Sequence, residues 1–345
     1  SKKMKALVFT GNETAEIKDI PKPEPGPGEV LVEMKASGIC GSDLGVYSTT
    51  SFPKEQQYLA RGHEPCGIVT KLGPCTRNVK VGDRVIIHHY KGCGDCEYCR
   101  SGWTQMCQEG YTAFGFGGNG GHEEFGVFPD STCVKMPDEL PFSVGAACSC
   151  GTGTAYQAVK RLGVSGLDTL AIYGQGPVGV SAMLFAKAMG AKVIAVDLID
   201  DRLKLSKQLG ADFVINANRE DPVNVVNQLT HGKGADASLD CAGAQEARLN
   251  TLKSARKWGR ACFVGLHSPE LNKLSVAELF VYKQLTVFGS WTMSTHVLAE
   301  CANYIVNKKI RIIDAIETFP LSEGPGVYKR FAAVEIAKKP VFVWP

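Results

Sequence analysis

The sequence predicts an α/β protein of two domains, and three observations lead to this fold class. The chain has 345 residues, which at roughly 100 to 200 residues per domain suits two separate cores. Its first part consists of short β-rich segments interrupted by Gly and Pro. From about Thr154, strands, Gly-rich turns and helices alternate, as is typical of a parallel sheet with crossover helices.

The individual elements follow the same hydrophobic patterns. In the N-terminal part, strands are predicted over residues 5–9 and 29–35, separated by a Pro- and Gly-rich turn over 21–28. In the second part, helices are predicted over 178–189 and 202–209. Six strands complete the predicted parallel sheet: 170–173, 192–197, 213–216, 237–240, 261–264 and 285–288.

Composition excludes several functional classes. Hydrophobic residues make up 44% of the chain and charged residues 21%, which excludes extensive disorder. The formal net charge is +3 and no basic run exceeds two residues, so no nucleic-acid partner is expected. The apolar stretches fall far short of the roughly 20 residues that span a bilayer, and we find no apolar signal segment. A cytoplasmic protein without a membrane partner is therefore expected.

Thirteen cysteines in a chain of this length favour reduced thiols and metal ligation over disulfides. Cys93, Cys96, Cys99 and Cys107 are separated by two, two and seven residues. Four thiolates at this spacing can form a tetrahedral shell around a structural zinc ion. An iron–sulfur cluster and a set of unligated cysteines are the alternatives.

A second, dispersed set combines Cys40, His63 next to Glu64, and Cys150. Two thiolates and one imidazole form the ligand set of a zinc site that keeps one position open for chemistry. Each of these residues alone is also compatible with a purely structural role.

A third motif is the glycine-rich turn Gly174-Gln175-Gly176-Pro177-Val178-Gly179 between a predicted strand and helix. Gly174 permits the turn, Gly176 lets the backbone approach a pyrophosphate, and Gly179 allows close packing of helix and strand. Asp197 ends the next strand, eighteen residues after Gly179, where its carboxylate can bind the adenosine ribose hydroxyls. The same charge would repel a 2′-phosphate, so NAD is favoured over NADP. Arg202 could contact the ribose and leaves some use of NADP open.

Together, Gly62-His63-Glu64, the four-cysteine loop, the late glycine-rich turn and the chain length resemble the zinc-dependent medium-chain alcohol and polyol dehydrogenase family. The resemblance implies a GroES-like, β-rich catalytic domain of residues 1–150, to which residues 290–345 return. It also implies a Rossmann, doubly wound NAD-binding domain of residues 151–289, and a homodimer or homotetramer.

The resemblance implies roles for single residues. Cys40, His63 and Cys150 would hold a catalytic zinc, with Glu64 beside it, and the four-cysteine loop a structural zinc. Cys150 is chosen over Cys148 because Thr154 and Tyr156 follow it at the family's spacing.

Other roles concern the surroundings of the catalytic zinc. Asp43 would orient His63, Ser42 would bind the substrate oxygen, and His89 would line the substrate pocket. The chain departs from the family in three places. Gly45 stands where many relatives have a relay histidine, and His89 stands where simple alcohol dehydrogenases have a bulky pocket wall. The segment Lys338-Lys339-Pro340 lacks the arginine that often contacts the pyrophosphate.

The predicted function is a zinc-dependent NAD(H) oxidoreductase that interconverts an alcohol and its ketone or aldehyde by hydride transfer. His89 suggests a polar substrate or a substitute proton relay. The polar substrate would most simply be a secondary alcohol of a small polyol or sugar alcohol. A simple primary or secondary alcohol dehydrogenase is the main alternative, because many polyol dehydrogenases of the family have glutamate where Cys150 stands. A zinc-free quinone reductase and a non-catalytic zinc-ribbon interaction protein are the others, and His89 could instead be an ordinary core histidine.

Overall fold

The computed structural model describes residues 2–345; Ser1, included in the predicted N-terminal domain, lies outside the described residues. In chain order the strands are β1 (Lys3–Phe9), β2 (Ala15–Pro21), β3 (Glu29–Gly38), β4 (Glu64–Leu72), β5 (Arg84–Ile87), β6 (Tyr90–Lys91), β7 (Thr112–Ala113), β8 (Phe125–Pro129), β9 (Cys133–Lys135), β10 (Thr169–Tyr173), β11 (Lys192–Asp197), β12 (Phe213–Asn216), β13 (Ala235–Asp240), β14 (Ala255–Phe263), β15 (Thr286–Gly289), β16 (Ile316–Phe319) and β17 (Lys339–Val343). The α-helices are α1 (Gly41–Tyr47), α2 (Glu97–Arg100), α3 (Phe142–Cys148), α4 (Gly151–Leu162), α5 (Pro177–Ala188), α6 (Asp200–Gln208), α7 (Pro222–Leu229), α8 (Gln245–Ser254), α9 (Thr295–Lys308) and α10 (Gly324–Ala332).

The chain divides into two compact units. The first contains the described residues up to Gly153, together with Met293–Lys309 and Ile316–Pro345, and the second contains Thr154–Thr292 and Ile310–Ala315. The sequence placed the boundaries three residues earlier and assigned all of 290–345 to the first domain. The short segment Ile310–Ala315 departs from that assignment because its 3₁₀ turn packs against α5 of the second unit.

The second unit is built on a six-stranded parallel sheet. Its strand order is β12-β11-β10-β13-β14-β15, and every neighbouring pair is parallel. The strand order reverses between β10 and β13, and in such doubly wound sheets ligands bind at the carboxyl ends of the strands on either side of that point. The predicted α/β fold class and six-stranded parallel sheet are therefore confirmed.

The first unit contains a mixed sheet in the order β16-β17-β3-β4-β5-β9, with β8 also paired to β3. The C-terminal strand β17 pairs antiparallel with β3, so the end of the chain completes this sheet. β1 and β2 form a separate antiparallel pair. The pairing of Gly38, the last residue of β3, with Glu64, the first residue of β4, brings the segments after β3 and before β4 together.

The helix α3 of the first unit was not predicted from the sequence. It packs against β3 and β4, and all its residues from Ser143 to Cys148 are buried. A short helix of small residues buried on all sides has no polar face, so it lacks the amphipathic period that predicts a helix. Among residues 2–345, none of the helices combines the length and the apolar character that crossing a bilayer requires.

Candidate active site and metal centres

Four potential metal ligands converge in the first unit. Cys40 follows β3 and caps the amino terminus of α1, His63 directly precedes β4, and Cys150 lies between α3 and α4. Their ligand atoms and a carboxylate oxygen of Glu64 all lie within 4.8 Å of one another. The structure thus brings together all four residues that the sequence predicted for the catalytic zinc, across 110 positions of the chain.

The chemistry of this donor set fits zinc. The Sγ atoms of Cys40 and Cys150 are 4.0 Å apart, close to the roughly 3.8 Å that two thiolates span on a tetrahedral zinc ion. Gly38 makes room for the fourth side chain, because a Cβ atom at this position would lie 2.0 Å from Glu64 Oε2. Two thiolates, an imidazole and a neighbouring carboxylate are ligands that could hold one zinc ion.

Asp43 fixes the imidazole of His63. Its Oδ1 lies 2.8 Å from His63 Nδ1, and its Oδ2 accepts a hydrogen bond from the Cys40 backbone N–H at 2.8 Å. With Nδ1–H donated to Asp43, Nε2 is the nitrogen free to bind a metal. Burial alone would lower the pKa of His63, but the Asp43 carboxylate raises it well above its ordinary value. Ser42 Oγ lies 3.3 Å from His63 Nε2, beside the candidate metal position.

Glu64 is held from two sides. Its Oε1 accepts a hydrogen bond from Gly151 N at 3.2 Å, and its Oε2 forms an ion pair of 2.5 Å with Lys339 Nζ. Lys339 also donates to the carbonyl of Ile39 and is buried at the start of β17. Burial raises the pKa of Glu64 to about 7, opposed by the charge of Lys339.

Sequence reasoning did not find Lys339. At residues 338–340, only the absence of an arginine was identified from the sequence. The pattern that could have indicated a buried charge is the lysine at the start of an otherwise apolar final strand. Because Lys339 is 3% exposed and its partner Glu64 0%, each charge depends on the other to remain ionised in the interior.

His89 also reaches the candidate site. Its ring centroid lies 4.9 Å from that of His63, and the side chain is 1% exposed. Nδ1 lies 3.0 Å from the carbonyl of Ser149, which can only accept, so Nδ1 carries the proton and Nε2 is a hydrogen-bond acceptor. Burial, reinforced by the neighbouring His63 and His88, holds the pKa of His89 well below its ordinary value.

The four-cysteine loop forms a second cluster. The sulfur atoms of Cys93, Cys96, Cys99 and Cys107 lie within 4.8 Å of one another, with 4.0 Å between those of Cys93 and Cys99. The sulfur of Cys93 accepts the backbone N–H of Cys96 at 3.3 Å, and that of Cys107 accepts the N–H of Cys93 at 3.2 Å. Hydrogen bonding from the Cys99 backbone lowers the pKa of Cys96 to about 6. Such thiolate-stabilising contacts suit a closed S4 zinc site.

The glycine-rich turn lies at the carboxyl end of β10. Gly174 has a φ of +93°, and a Cβ atom there would lie 2.8 Å from Ala242 N. A Cβ atom at Gly179 would lie 1.8 Å from the carbonyl oxygen of Gly174, so α5 can approach β10 only with glycine there. Pro177 and Val178 begin α5, whose first turn has no side-chain cap. Its backbone N–H groups can therefore serve a phosphate.

Asp197 ends β11 beside this turn. Its Oδ2 accepts the N–H of Gln175 at 2.6 Å, and its Oδ1 accepts those of Leu198 and Ile199 at 2.7 and 3.0 Å. Arg202 Nη1 lies 4.0 Å from Asp197 Oδ2. The turn, the carboxylate and the guanidinium that were predicted for dinucleotide binding thus occupy one edge of the parallel sheet.

Two family models match the chain. Residues 26–138 match the alcohol dehydrogenase GroES-like domain, and residues 177–307 match the zinc-binding dehydrogenase domain. These matches cover both units, whereas a zinc-ribbon interaction module would account for the four-cysteine loop alone.

Individual relatives agree with the family models. A zinc-type alcohol dehydrogenase-like protein of Escherichia coli (strain K12) is 38% identical over 350 residues, covering 98% of each chain. An L-threonine 3-dehydrogenase of Pyrococcus horikoshii is 35% identical over 295 residues, 84% of this chain and 83% of that one. The solved structure of an NAD-dependent alcohol dehydrogenase superposes with a TM-score of 0.87 at 30% identity, covering 99% of this chain and 100% of the other. The chain therefore belongs to the zinc-dependent medium-chain alcohol dehydrogenase family.

Proposed function

We propose that this protein is a zinc-dependent NAD(H) oxidoreductase that interconverts a secondary alcohol group of a small polyol or sugar alcohol with its ketone. The single observation that carries the polyol assignment is His89, a neutral imidazole beside the candidate zinc site whose Nε2 is a hydrogen-bond acceptor. An aliphatic alcohol gains nothing from such an acceptor. A substrate with a second hydroxyl group can donate a hydrogen bond to it.

We assign one zinc ion to Cys40, His63 and Cys150, with Glu64 as an exchangeable neighbour, and a second to Cys93, Cys96, Cys99 and Cys107. When bound, the first zinc would supply Lewis-acid stabilisation of negative charge on the substrate oxygen, and NAD would supply the hydride acceptor. The thiolates and the imidazole leave a position for the substrate, whereas the second set is complete with four sulfur ligands.

Ser42 would remove the hydroxyl proton of the substrate. Its Oγ lies 3.3 Å from His63 Nε2, so it can reach an oxygen bound next to that nitrogen. Ser42 and Gly45 are both exposed, and a Cβ atom at Gly45 would meet no atom within 4 Å. Water can therefore accept the proton from Ser42 where many relatives use a histidine.

Asp197 and the first turn of α5 would bind NAD. The carboxylate, fixed by three backbone N–H groups, accepts the ribose hydroxyls and disfavours a 2′-phosphate. One relative is an L-threonine 3-dehydrogenase, whose substrate carries a secondary hydroxyl among polar groups, and one structural neighbour is NAD-dependent. Both support the assignment of a polar secondary alcohol and of NAD.

A simple alcohol dehydrogenase is the second candidate, favoured by Cys150 in the third ligand position. A matched pair of substrates separates the two functions: butane-2,3-diol and butan-2-ol differ by one hydroxyl group. We expect the wild type to prefer the diol in kcat/KM, and His89→Leu to reduce this preference by about tenfold, the worth of a hydrogen bond. His88→Gln, which alters the neighbouring buried histidine, should keep the preference. A diol preference that survives in His89→Leu would contradict the assignment.

A further inference from the structure

The side chain of Gln175 has a structural role that the glycine-rich turn itself does not require. It occupies the second position of the turn and is 0% exposed. Its Nε2 donates to the carbonyl of Ile172 in β10 at 3.0 Å, and its Oε1 accepts a hydrogen bond from Ser206 Oγ in α6 at 2.8 Å. The Gln175 side chain thus links the turn by hydrogen bonds to β10, the strand before it, and to α6, the helix that follows Asp197.

The backbone of the same residue contacts the ribose-binding carboxylate. The N–H of Gln175 donates to Asp197 Oδ2 at 2.6 Å, while Leu198 and Ile199 hold the other oxygen. Because the side chain fixes the turn, it also fixes the direction of this N–H. The hydrogen bond that holds Asp197 Oδ2 therefore depends on the two side-chain hydrogen bonds of Gln175.

The hydrogen bond between Gln175 and Ser206 also affects the position of Arg202, which belongs to the same helix. Ser206 and Arg202 are four positions apart in α6 and lie on one face of the helix. The guanidinium of Arg202 lies 4.0 Å from the position of a Cβ atom at Gly176 and 4.0 Å from Asp197 Oδ2. Fixing Ser206 therefore fixes the helix face that holds Arg202 against the turn.

We propose that Gln175 is a positioning residue that sets the affinity for NAD and its preference over NADP; this inference rests on the proposed function. While both side-chain hydrogen bonds of Gln175 are formed, Asp197 points at the ribose site and repels a 2′-phosphate. When these hydrogen bonds are lost, the carboxylate can rotate away and Arg202 can turn towards a phosphate. Discrimination between the two cofactors then falls.

The test measures Kd for NADH and for NADPH with the full-length, zinc-loaded protein, by titrating nicotinamide fluorescence. Gln175→Met replaces the amide by an apolar chain of similar size, and Ser206→Ala removes only the bond to α6. We expect Gln175→Met to weaken NADH binding about three- to tenfold, with NADPH unchanged or tighter, since each lost bond is worth up to about one factor of ten. Ser206→Ala should shift the ratio in the same direction by a smaller factor.

Ser238→Ala is the matched control, because Ser238 is a buried serine of the same unit whose Oγ donates to the carbonyl of Thr251 at 2.5 Å. It should lower the thermal stability without changing the NADH to NADPH ratio. An unchanged ratio in folded Gln175→Met, or an equal shift in Ser238→Ala, would overturn the inference. If Gln175→Met does not fold, the ratio in Ser206→Ala decides. A wild type that binds neither dinucleotide would instead refute the proposed function, and the inference with it.

Discussion

Cys148 and Cys150 are two residues apart, but only the sulfur of Cys150 belongs to the metal cluster. Cys148 is fully buried in α3. We predict that Cys150→Ser loses about one zinc ion per chain together with the oxidoreductase activity, because the hard hydroxyl oxygen is a poor replacement for a thiolate.

Zinc per chain, measured by atomic emission on the purified variants, checks this prediction. Cys148→Ser is the control and should retain both zinc ions, since its side chain lies outside both clusters. Two zinc ions retained in Cys150→Ser would remove Cys150 from the ligand set.

Glu123 is a buried acid outside the proposed chemistry. It is 0% exposed, and neither carboxyl oxygen has a hydrogen-bond partner among the described residues. Burial raises the pKa of Glu123 well above its ordinary value. The folded protein therefore keeps the proton that the unfolded chain loses at about pH 4.3. Its stability falls as the pH rises from that value to the folded-state pKa.

Glu123→Gln removes this titration while preserving shape and neutrality. We predict a variant whose unfolding free energy exceeds that of the wild type by at least about 1 kcal/mol at pH 9, the worth of roughly one pKa unit, with a smaller difference at pH 5. Urea unfolding at both pH values measures this. Glu124→Gln, at a partly exposed carboxylate that accepts a hydrogen bond from Lys5 N, is the neighbouring control, and its unfolding is measured at the same two pH values. Parallel pH profiles of Glu123→Gln and the wild type would show that Glu123 does not titrate as its burial implies.

At the scale of elements, the contact between β10 and α5 shapes the dinucleotide turn. An added methyl group at Gly179 would lie 1.8 Å from the carbonyl oxygen of Gly174, so α5 would have to move away from the strand. We predict that Gly179→Ala weakens NADH binding at least about tenfold and destabilises the protein by about 1–3 kcal/mol, typical of overpacking. Its zinc content should stay unchanged, because all candidate ligands lie in the first unit.

Calorimetric titration with NADH and zinc analysis of the same sample test this expectation. Gly166→Ala is the control, since a Cβ atom at Gly166 meets no atom closer than 3.7 Å. Wild-type affinity for NADH in Gly179→Ala would mean that the close approach of α5 is not needed for cofactor binding.

Prediction from sequence succeeded for some elements and failed for others, for physical reasons. β11 and β12 have the predicted bounds because each is a short apolar run between helices and Gly-rich turns, the pattern typical of strands in a parallel sheet. By contrast, β14 begins at Ala255, six residues before its predicted start. The prediction missed its first part because polar and charged side chains there interrupt the apolar run.

The residues of the candidate site also fall into those that local spacing predicts and those that it does not. The four-cysteine loop is local in sequence, so spacing alone predicted a metal cluster. Residue types made Cys40, His63 and Cys150 candidate ligands, but only the resemblance to a family assigned them to one zinc ion. Their spacing carries no such signal, because the pairing of β3 with β4 and the position of α3 bring them together. The ion pair of Lys339 with Glu64 joins positions 275 residues apart. The lysine at the start of an apolar strand indicates a buried charge, but no sequence pattern identifies Glu64 as its partner.

At the scale of the whole molecule, one edge of the parallel sheet suggests a contact between copies. Among the described strands, β15 pairs only with β14, and Val281 and Tyr282, shortly before it, are 55% and 70% exposed. An unpaired edge beside exposed apolar side chains favours association with a second copy. We predict a homodimer or homotetramer by light scattering.

A charge at this edge should break that contact. Tyr282→Glu is expected to shift the mass towards the monomer, whereas Leu167→Glu, at an apolar side chain that is 94% exposed elsewhere in the unit, should not. A monomeric wild type would refute the predicted association.

The most direct test of the central claim is nicotinamide absorbance at 340 nm when the zinc-loaded protein is mixed with NAD and a panel of short alcohols, polyols, sugars and cyclitols. We predict NADH formation with one group of polyols, slower reduction of NADP with the same substrates, and no reaction in Cys150→Ser. No NADH across the panel, from a wild-type protein shown to contain two zinc ions per chain, would contradict the proposed polyol dehydrogenase.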